Sequence, residues 1–411
     1  MQAIRVRFSL PRFALCKLLG GLYRPVYYGP LSPLVFGHIP EPSLPDPNWV
    51  KIRTRLGGIC ATDLSGILLQ LRPDSFMGAF LSFPIGVGHE AVGYVHEVGP
   101  AVSTLKPGDR VTLDPSLSCV TRSINPPCEN CRDGRYNTCT NFAEGALPPG
   151  CGVGGNNRTG GSWGEFFVAH KDRVFLIPDD FSDALALFIE PFSCALHAVR
   201  KLTLHNSHTV LVFGAGTLGL MTVAALRLLD FRGRILVAAR YPFQAQAARS
   251  LGADLALPPS GQSLYTQLAD LTGARIYRGR LGNNRTLVGG VDAVFDWVGS
   301  TQSITDSLRF LKAGGHMVLG GIDRPKNVDW TPLWAQECVI HGSASHATED
   351  LPTGRVFTFN LAIDLLRTHR LNLEPLLTHT FPLHQYPKAF DTLLHKERTH
   401  AVKVAFQFPA P

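Results

Sequence analysis

The pattern of apolar and polar residues along the chain changes near Pro191. Before it, short alternations such as EAVGYVHEVG and GDRVTL stand between glycine- and proline-rich stretches, which predicts short strands joined by turns. After it, apolar runs such as TVLVFGAG, RILVAAR, DAVFDWVG and GHMVLGG alternate with helix-like stretches such as LGLMTVAALRLL and QAQAARSLGA. This alternation predicts βαβ units around a parallel sheet.

The pattern changes again beyond about Ser345. The stretch VFTFNLAIDLLRTH predicts a helix, and HAVKVAFQF, close to the C-terminus, predicts a strand. We therefore predict an α/β protein with three parts. Residues 1–190 form a mostly β domain, residues 191–344 a doubly wound parallel-sheet domain, and residues 345–411 a C-terminal segment.

A glycine motif lies inside the longest uncharged run, Val210 to Leu226, whose 17 residues approach the length of a membrane span. Gly214, Gly216 and Gly219 form G-x-G-x-x-G directly after a strand-like run and before a helix-like one. The first glycine permits a tight turn, the second lets the backbone approach a pyrophosphate, and the third allows close helix–strand packing. The sequence thus predicts a dinucleotide site that includes the intervening Thr217 and Leu218. A glycine-rich turn that serves packing alone is the alternative.

Composition and charge favour a globular protein with small-molecule ligands. A hydrophobic content of 45% with 17% charged residues is ordinary for globular domains and argues against a disordered chain. The net charge of +7 comes from scattered Lys and Arg, which is a hint of anionic ligands and does not indicate a nucleic-acid partner. Charges and a proline interrupt the apolar residues of the N-terminus, so we expect no secretory signal, no membrane partner and a cytoplasmic location.

The cysteines are unevenly distributed: four of the nine lie between Cys119 and Cys139. Cys128 and Cys131 form a CxxC pair, and Cys139 follows after seven residues, a spacing that can wrap thiolates around one tetrahedral zinc ion. Cys119 is the available fourth ligand. Four reduced cysteines in a loop are the alternative, but this polar segment offers little core in which to bury them.

A second set of potential metal ligands lies nearer the N-terminus. His89 and Glu90 stand side by side in the apolar, glycine-rich run FPIGVGHEAVG, and Cys60 stands in GGICATDL. A thiolate, an imidazole and one carboxylate would bind zinc and leave one position open for water or substrate, as in a catalytic site. A lone buried Cys or His is more often a core residue, but both of these occupy glycine turns interrupted by polar residues.

In their order along the chain, these motifs resemble those of the zinc-dependent medium-chain alcohol dehydrogenases, within the branch that contains polyol, threonine and glucose dehydrogenases. The resemblance spans roughly Val50 to the C-terminus and is carried by GICATD, GHEAVGYVHEVG, CENCRDGRYNTC, EPFSCALHAV, VLVFGAGTLGL and VDAVFDWVG. It implies that residues 1–190 form a GroES-like catalytic domain with a structural-zinc lobe at about 119–139. It also implies that residues 191–344 form a Rossmann nicotinamide-binding domain and that residues 345–411 return to the catalytic domain. A homodimer or homotetramer is the implied assembly.

The same resemblance assigns roles to individual residues. Cys60, His89 and Glu190 would be the protein ligands of the catalytic zinc, with Glu90 a neighbouring carboxylate able to exchange with Glu190 or water. Asp63 would orient the imidazole of His89. Thr62 would hydrogen-bond the substrate oxygen and carry its proton away.

The implied activity is hydride transfer between an NAD(P) cofactor and an alcohol, polyol, sugar or hydroxy amino acid or its carbonyl form, with zinc as the Lewis acid. A zinc-independent reductase of the same superfamily and a non-catalytic NAD(P)-binding regulatory protein are the alternatives. The complete set Cys60, Thr62, His89 and Glu190 argues against both. Substrate specificity is expected from SGILLQLRPDSFMGAF and from the neighbourhood of SASHATED.

Two departures from the family pattern affect these assignments. Ser65 stands where many members have a histidine at the end of the proton relay, so the terminal base is not identified. Asn125 stands where the lobe usually has its first cysteine, so Cys119 would have to supply the fourth sulfur across eight intervening residues.

The residue that reads the adenine ribose is expected directly after the second strand of the cofactor domain, where an acidic residue selects NAD. Here Arg240 follows RILVAA, and no Asp or Glu occurs until Asp254. Arg240 could pair with a 2′-phosphate through its planar guanidinium, with Arg249 a second candidate. An arginine that stacks on adenine or points to solvent is the alternative. The sequence favours NADP over NAD.

Overall fold

The computed structural model describes residues 1–71, 74–281, 284–321, 323 and 325–410. They form two compact units. The first comprises Met1–Glu190 and His346–Pro411, and the second comprises Pro191–Ser345. Among the described residues, every helix is too short or too polar to cross a membrane.

The described residues contain twenty strands and thirteen α-helices. The strands are β1 (Gln2–Val6), β2 (Leu34–His38), β3 (Trp49–Gly58), β4 (Ile85–Gly86), β5 (Ala91–Val98), β6 (Arg110–Leu113), β7 (Phe166–His170), β8 (Val174–Leu176), β9 (Thr209–Phe213), β10 (Arg234–Ala238), β11 (Leu255–Leu257), β12 (Arg275–Arg278), β13 (Arg285–Val288), β14 (Val291–Asp296), β15 (Leu311–Leu319), β16 (Val339–Gly342), β17 (Thr348–Leu351), β18 (Gly354–Phe357), β19 (Leu377–Phe381) and β20 (Lys403–Gln407). The helices are α1 (Leu10–Leu19), α2 (Ala61–Ile67), α3 (Glu129–Arg132), α4 (Asp183–Ala186), α5 (Ile189–Val199), α6 (Thr217–Leu228), α7 (Pro242–Ser250), α8 (Gln262–Thr272), α9 (Thr301–Phe310), α10 (Thr331–Ala335), α11 (Thr358–His369), α12 (Tyr386–Leu394) and α13 (Lys396–Thr399).

The first unit is mostly β. Its main sheet has the strand order β19-β20-β3-β5-β6-β8, with β7 also paired to β3, so the C-terminal strands complete a sheet that begins at β3. A smaller sheet, β2-β1-β4, brings in the N-terminus. Trp163 is fully buried and packs against Phe390 and Phe406, in a core that also contains Ile4 and Tyr28. The first fifty residues, which carry no family motif, are therefore part of this core.

The second unit contains the predicted parallel sheet. Its six strands run in the order β11-β10-β9-β14-β15-β16, and all five neighbouring pairs are parallel. Counted along the chain this is the order 3-2-1-4-5-6 of dinucleotide-binding folds, with the reversal between β9 and β14. The uncharged run Val210–Leu226 is divided between β9, a turn and α6, and α6 buries eight of its twelve residues. The run is therefore a strand–turn–helix unit of a buried core.

Candidate functional site

The N-terminus of α2 brings Cys60, Asp63 and His89 together. Cys60 is the N-cap of this helix, and its backbone N–H donates to Asp63 Oδ2 at 3.1 Å. The other oxygen of the same carboxylate, Oδ1, lies 3.3 Å from His89 Nδ1. One acidic side chain thus fixes the cysteine backbone and the imidazole, and the ligand atoms of Cys60, His89 and Glu90 lie within 4.8 Å of one another.

The charges around His89 favour its protonated form in the metal-free protein. Burial opposes that charge, but the Asp63 carboxylate and the Cys60 side chain raise the pKa of His89 well above its usual value. A metal ion bound here would have to displace that proton, since only the neutral imidazole is a ligand. Thr62, which is exposed in the first turn of α2, lies next to the cysteine, with its Oγ1 3.6 Å from Cys60 Sγ.

Glu90 is held by a lysine that the sequence analysis did not single out. The Glu90 carboxylate and the Lys403 ammonium form an ion pair in which each side chain is only 2% exposed. Lys403 is the first residue of β20, and its Nζ also contacts the Ile59 carbonyl at 3.4 Å. Burial opposes the lysine charge, but the Glu90 carboxylate outweighs it and raises the pKa of Lys403. A charged residue inside the apolar strand HAVKVAFQF was the available sequence signal.

Gly58, the last residue of β3, makes room for that carboxylate. A Cβ at position 58 would overlap Glu90 Oε2, so a larger residue there would displace the acid. The Gly58 N–H also donates to the Glu90 carbonyl at 2.9 Å. Gly58 therefore has a packing role that the sequence motif did not indicate.

Glu190, in the first turn of α5, has a different partner from the other proposed ligands. Its Oε1 lies 3.0 Å from His346 Nε2, and the opposite ring nitrogen of His346 lies 3.2 Å from Asp114 Oδ1. Asp114 in turn accepts from Arg173 Nη1 at 3.1 Å. Burial opposes both carboxylate charges, but contact with His346 lowers the pKa of Asp114 and of Glu190. Of these four connected residues, only Glu190 belongs to a motif that predicted an individual functional role.

The lobe brings four sulfur atoms together. The Sγ atoms of Cys119, Cys128, Cys131 and Cys139 lie within 4.8 Å of one another, and Cys119 and Cys139 are 3.6 Å apart. Cys119 therefore supplies the fourth sulfur atom of the group. Three N–H groups are donated to these sulfurs, one from the Cys128 backbone and two from Asn141, at 3.2 to 3.3 Å.

Electrostatics in the lobe favour a thiolate. A hydrogen bond from Cys131, opposed by burial, and a further one from the Asn141 backbone lower the pKa of Cys139 to about 5. Because thiolates bind zinc, this donor set fits a structural zinc ion. The buried Arg122 fixes the following loop, because its guanidinium donates to the carbonyls of residues 117, 144, 147, 148 and 150.

Replacing Cys128 by serine tests the lobe. We expect the variant to retain one zinc ion fewer per chain and to melt several degrees lower, because a structural zinc site contributes directly to folding free energy. Cys151→Ser is the control, since Cys151 packs beside the lobe cysteines but lies outside the four-sulfur group. Metal analysis and thermal unfolding give the readouts. Unchanged zinc content in Cys128→Ser would make the lobe a cysteine-rich loop.

The glycine turn of the second unit has the geometry that a dinucleotide requires. Gly214 has φ +98°, a conformation that L-residues with a side chain rarely adopt. A Cβ on Gly219 would overlap the Gly214 carbonyl, which explains the close packing of α6 on β9. At Gly216 a Cβ would meet no described atom within 4 Å, so the backbone there is open to a ligand. Thr217 then begins α6, and a helix N-terminus favours a pyrophosphate.

Arg240 lies two residues beyond β10, at the carboxyl edge of the sheet. Its side chain is exposed, and its Cζ lies 5.6 Å from the centre of the Tyr241 ring. Asp254, the first acidic residue after β10, accepts from the Ile235 N–H at 2.6 Å and from Arg227 Nη2 at 2.8 Å. Ile235 is near the amino end of β10, so Asp254 lies at the opposite edge of the sheet from Arg240 and cannot serve as the ribose-binding acid.

Comparisons with known proteins agree with this architecture. Residues 46–179 match the alcohol dehydrogenase GroES-like domain, and residues 217–358 match the zinc-binding dehydrogenase family. The chain is 30% identical to L-idonate 5-dehydrogenase of Vitis vinifera, over 89% of each chain. It is 29% identical to sorbitol dehydrogenase of Arabidopsis thaliana, over 88% of each chain. The crystal structure of 2R,3R-butanediol dehydrogenase from Bacillus subtilis has the same fold, with a TM-score of 0.72 and 22% identity over 99% of each chain.

The chain therefore belongs to the zinc-type medium-chain alcohol dehydrogenases, in their polyol dehydrogenase branch. This membership confirms the family and the fold class that the motifs predicted. It also confirms the activity class, an oxidoreductase that transfers hydride between an alcohol or polyol and NAD(P).

Proposed function

We propose that the protein is a zinc-dependent dehydrogenase that interconverts a secondary alcohol or polyol and its carbonyl form and prefers NADP to NAD. The observation that carries this proposal is the grouping of the Cys60, His89 and Glu90 ligand atoms within 4.8 Å in the first unit. A thiolate, an imidazole and a carboxylate form a donor set that zinc accepts in catalytic sites.

The surroundings of these donors support a metal site. Asp63 engages Nδ1 of His89, which leaves Nε2 as the nitrogen for a metal ion and fixes the ring orientation, as outer carboxylates do in many zinc sites. The same carboxylate holds the backbone of Cys60, so both donors share one support. Zinc bound here would polarise the substrate oxygen and ease hydride transfer.

Thr62 is our proposed hydrogen-bond partner of the substrate hydroxyl. Its exposed position beside Cys60 lets its Oγ1 accept a hydrogen bond from the hydroxyl of a substrate that lies next to the metal donors. We name no terminal base.

Two carboxylates are proposed to serve the metal. Glu90 belongs to the grouped donors, and Glu190 lies outside that group. Burial opposes the Glu190 charge, but contact with His346, followed by the influence of His89, lowers its pKa, so the carboxylate is ready to act as an anionic ligand. We propose Glu190 as the third protein ligand, with Glu90, held by Lys403, as the carboxylate that exchanges with it.

Arg240 is our proposed reader of the adenosine 2′-phosphate. Its guanidinium lies where the ribose-binding residue of this fold is expected, and the nearest following acid is engaged at the other edge of the sheet. Wild-type protein should therefore show a higher kcat/KM with NADP than with NAD. Arg240→Ala should lower that ratio by about tenfold or more, because a charge-assisted pair contributes roughly 1.5–3 kcal/mol.

The readout is the ratio of the two kcat/KM values. Arg249→Ala tests the second candidate, and Arg232→Ala is the control, because Arg232 is an exposed arginine just before the amino end of β10. A wild type that prefers NAD, or an unchanged ratio in Arg240→Ala, would show that this arginine does not read the cofactor. The substrate class is tested with a panel of polyols, sugars, hydroxy amino acids and simple alcohols, each followed by nicotinamide absorbance. Turnover of none of them with either cofactor would contradict the proposed function.

A further inference from the structure

A buried chain of basic and acidic side chains ends at Glu190. It runs from the Arg173 guanidinium through Asp114 and His346 to the Glu190 carboxylate, with separations of 3.1, 3.2 and 3.0 Å. The Asp114 and His346 side chains are 0% exposed, and those of Arg173 and Glu190 are 6% and 7% exposed. Each buried carboxylate in the chain therefore has a basic side chain beside it, which offsets the cost of removing its charge from water.

Arg173 and His346 are held by further contacts. The Arg173 guanidinium lies 3.7 Å from the centre of the Tyr136 ring, and the His346 ring packs edge-on against Phe359 at 4.8 Å. Both nitrogens of His346 face carboxylate oxygens, which only accept, so both contacts are favourable when both nitrogens carry hydrogen. The imidazole is thereby fixed at both ends and cannot rotate without losing a buried hydrogen bond.

We propose that His346 is a positioning residue, which holds the Glu190 carboxylate in one orientation at the start of α5 so that a metal ion meets a preorganised ligand. A free glutamate side chain loses rotamer entropy when it is fixed, and His346 removes that cost before the metal binds. The inference rests on the proposed role of Glu190 as a zinc ligand. It gives the segment SASHATED a function in metal binding in addition to any in substrate selection.

The test is the zinc affinity of the catalytic site, measured on the full chain by competition with a chromophoric chelator and resolved from the lobe by using Cys60→Ser as a reference. His346→Phe keeps an aromatic ring against Phe359 but removes both hydrogen bonds. We expect its zinc affinity to fall by about 10- to 100-fold, the usual effect of losing an outer partner of a metal ligand. His346→Gln keeps one amide donor and should recover part of the affinity.

His170→Phe is the matched control. His170 is also a buried histidine, and its ring packs edge-on against Trp49 at 5.8 Å. It lies on β7, however, and it contacts Asp172, which is not a proposed metal ligand. It should lose stability without a change in zinc affinity. If His346→Phe folds poorly, the positioning role is tested by comparing His346→Gln with wild type. The zinc affinity of His346→Gln should also be lower than that of wild type.

Glu190→Gln distinguishes failure of the proposed ligand role of Glu190 from failure of the positioning role of His346. If it weakens zinc binding while both His346 variants match wild type, the proposed function stands and the positioning role is wrong. If Glu190→Gln leaves zinc affinity unchanged, Glu190 is not a ligand, and the positioning role falls with that assignment. A loss of affinity in Glu190→Gln and in the His346 variants, with wild-type affinity in His170→Phe, supports the inference.

Discussion

Replacing Cys60 by serine should lower kcat/KM by about a thousandfold or more while leaving the fold and cofactor binding intact. The physical reason is that a Lewis-acid metal supplies several kcal/mol of transition-state stabilisation, and about 1.4 kcal/mol corresponds to tenfold in rate. Serine removes the thiolate but keeps the N-cap position, so the hydrogen bond from the residue 60 backbone to Asp63 should persist.

The measurement is steady-state kinetics together with nicotinamide titration and far-UV circular dichroism. Cys151→Ser serves as the control, because Cys151 lies outside all three groups of potential metal ligands in the described structure. Turnover near the wild-type level in Cys60→Ser, with normal cofactor affinity, would exclude this thiolate from the chemistry.

Removing the Lys403 charge should cause the largest loss of stability. Lys403→Met leaves the buried Glu90 carboxylate without its cation, and breaking a buried ion pair from one side typically costs about 3–5 kcal/mol. The double variant Lys403→Met/Glu90→Gln should recover part of that loss, because no buried charge is then left unpaired. The midpoint of chemical unfolding, measured at one zinc concentration for all variants, gives the comparison.

Lys51→Met is the matched control for this variant. Lys51 also pairs with carboxylates, Glu41 and Glu97, but those partners are about half exposed. Its loss should cost about 1 kcal/mol or less. Equal effects of Lys403→Met and Lys51→Met would contradict the view that the Glu90 pair is stabilised by burial of both charges.

Local patterns predicted the second unit well because its strands, helices and turns are determined by residues close together in the sequence. Buried parallel strands are short apolar runs, and the turn at Gly214 requires a residue that tolerates positive φ. The βαβ alternation, the glycine turn and the position of Arg240 could therefore be read from the sequence. The hairpin of β12 and β13 could not, because all four residues of β12 are exposed and show no periodic apolar pattern.

The candidate site was only partly predictable, because its supporting contacts join distant parts of the chain. His346 and Glu190 are separated by 156 residues, and Lys403 and Ile59 by 344. No spacing rule connects such pairs, so Cys60, Asp63 and His89 were found through their motifs while His346 and Asp114 were not. The contribution of the N-terminal segment to the core was not predicted for a similar reason, since Ile4 and Tyr28 pack in a core with residues as distant as Phe390.

The central claim is that catalysis depends on a metal ion held by Cys60 and His89. The most direct test strips the wild-type protein of metal with a chelator, measures oxidation of an accepted polyol with NADP, and then adds zinc in steps while zinc content is determined. The account predicts that activity is lost with the metal and returns as the catalytic site fills, and that Cys60→Ser shows no recovery. Full activity in protein shown to be free of metal would contradict it.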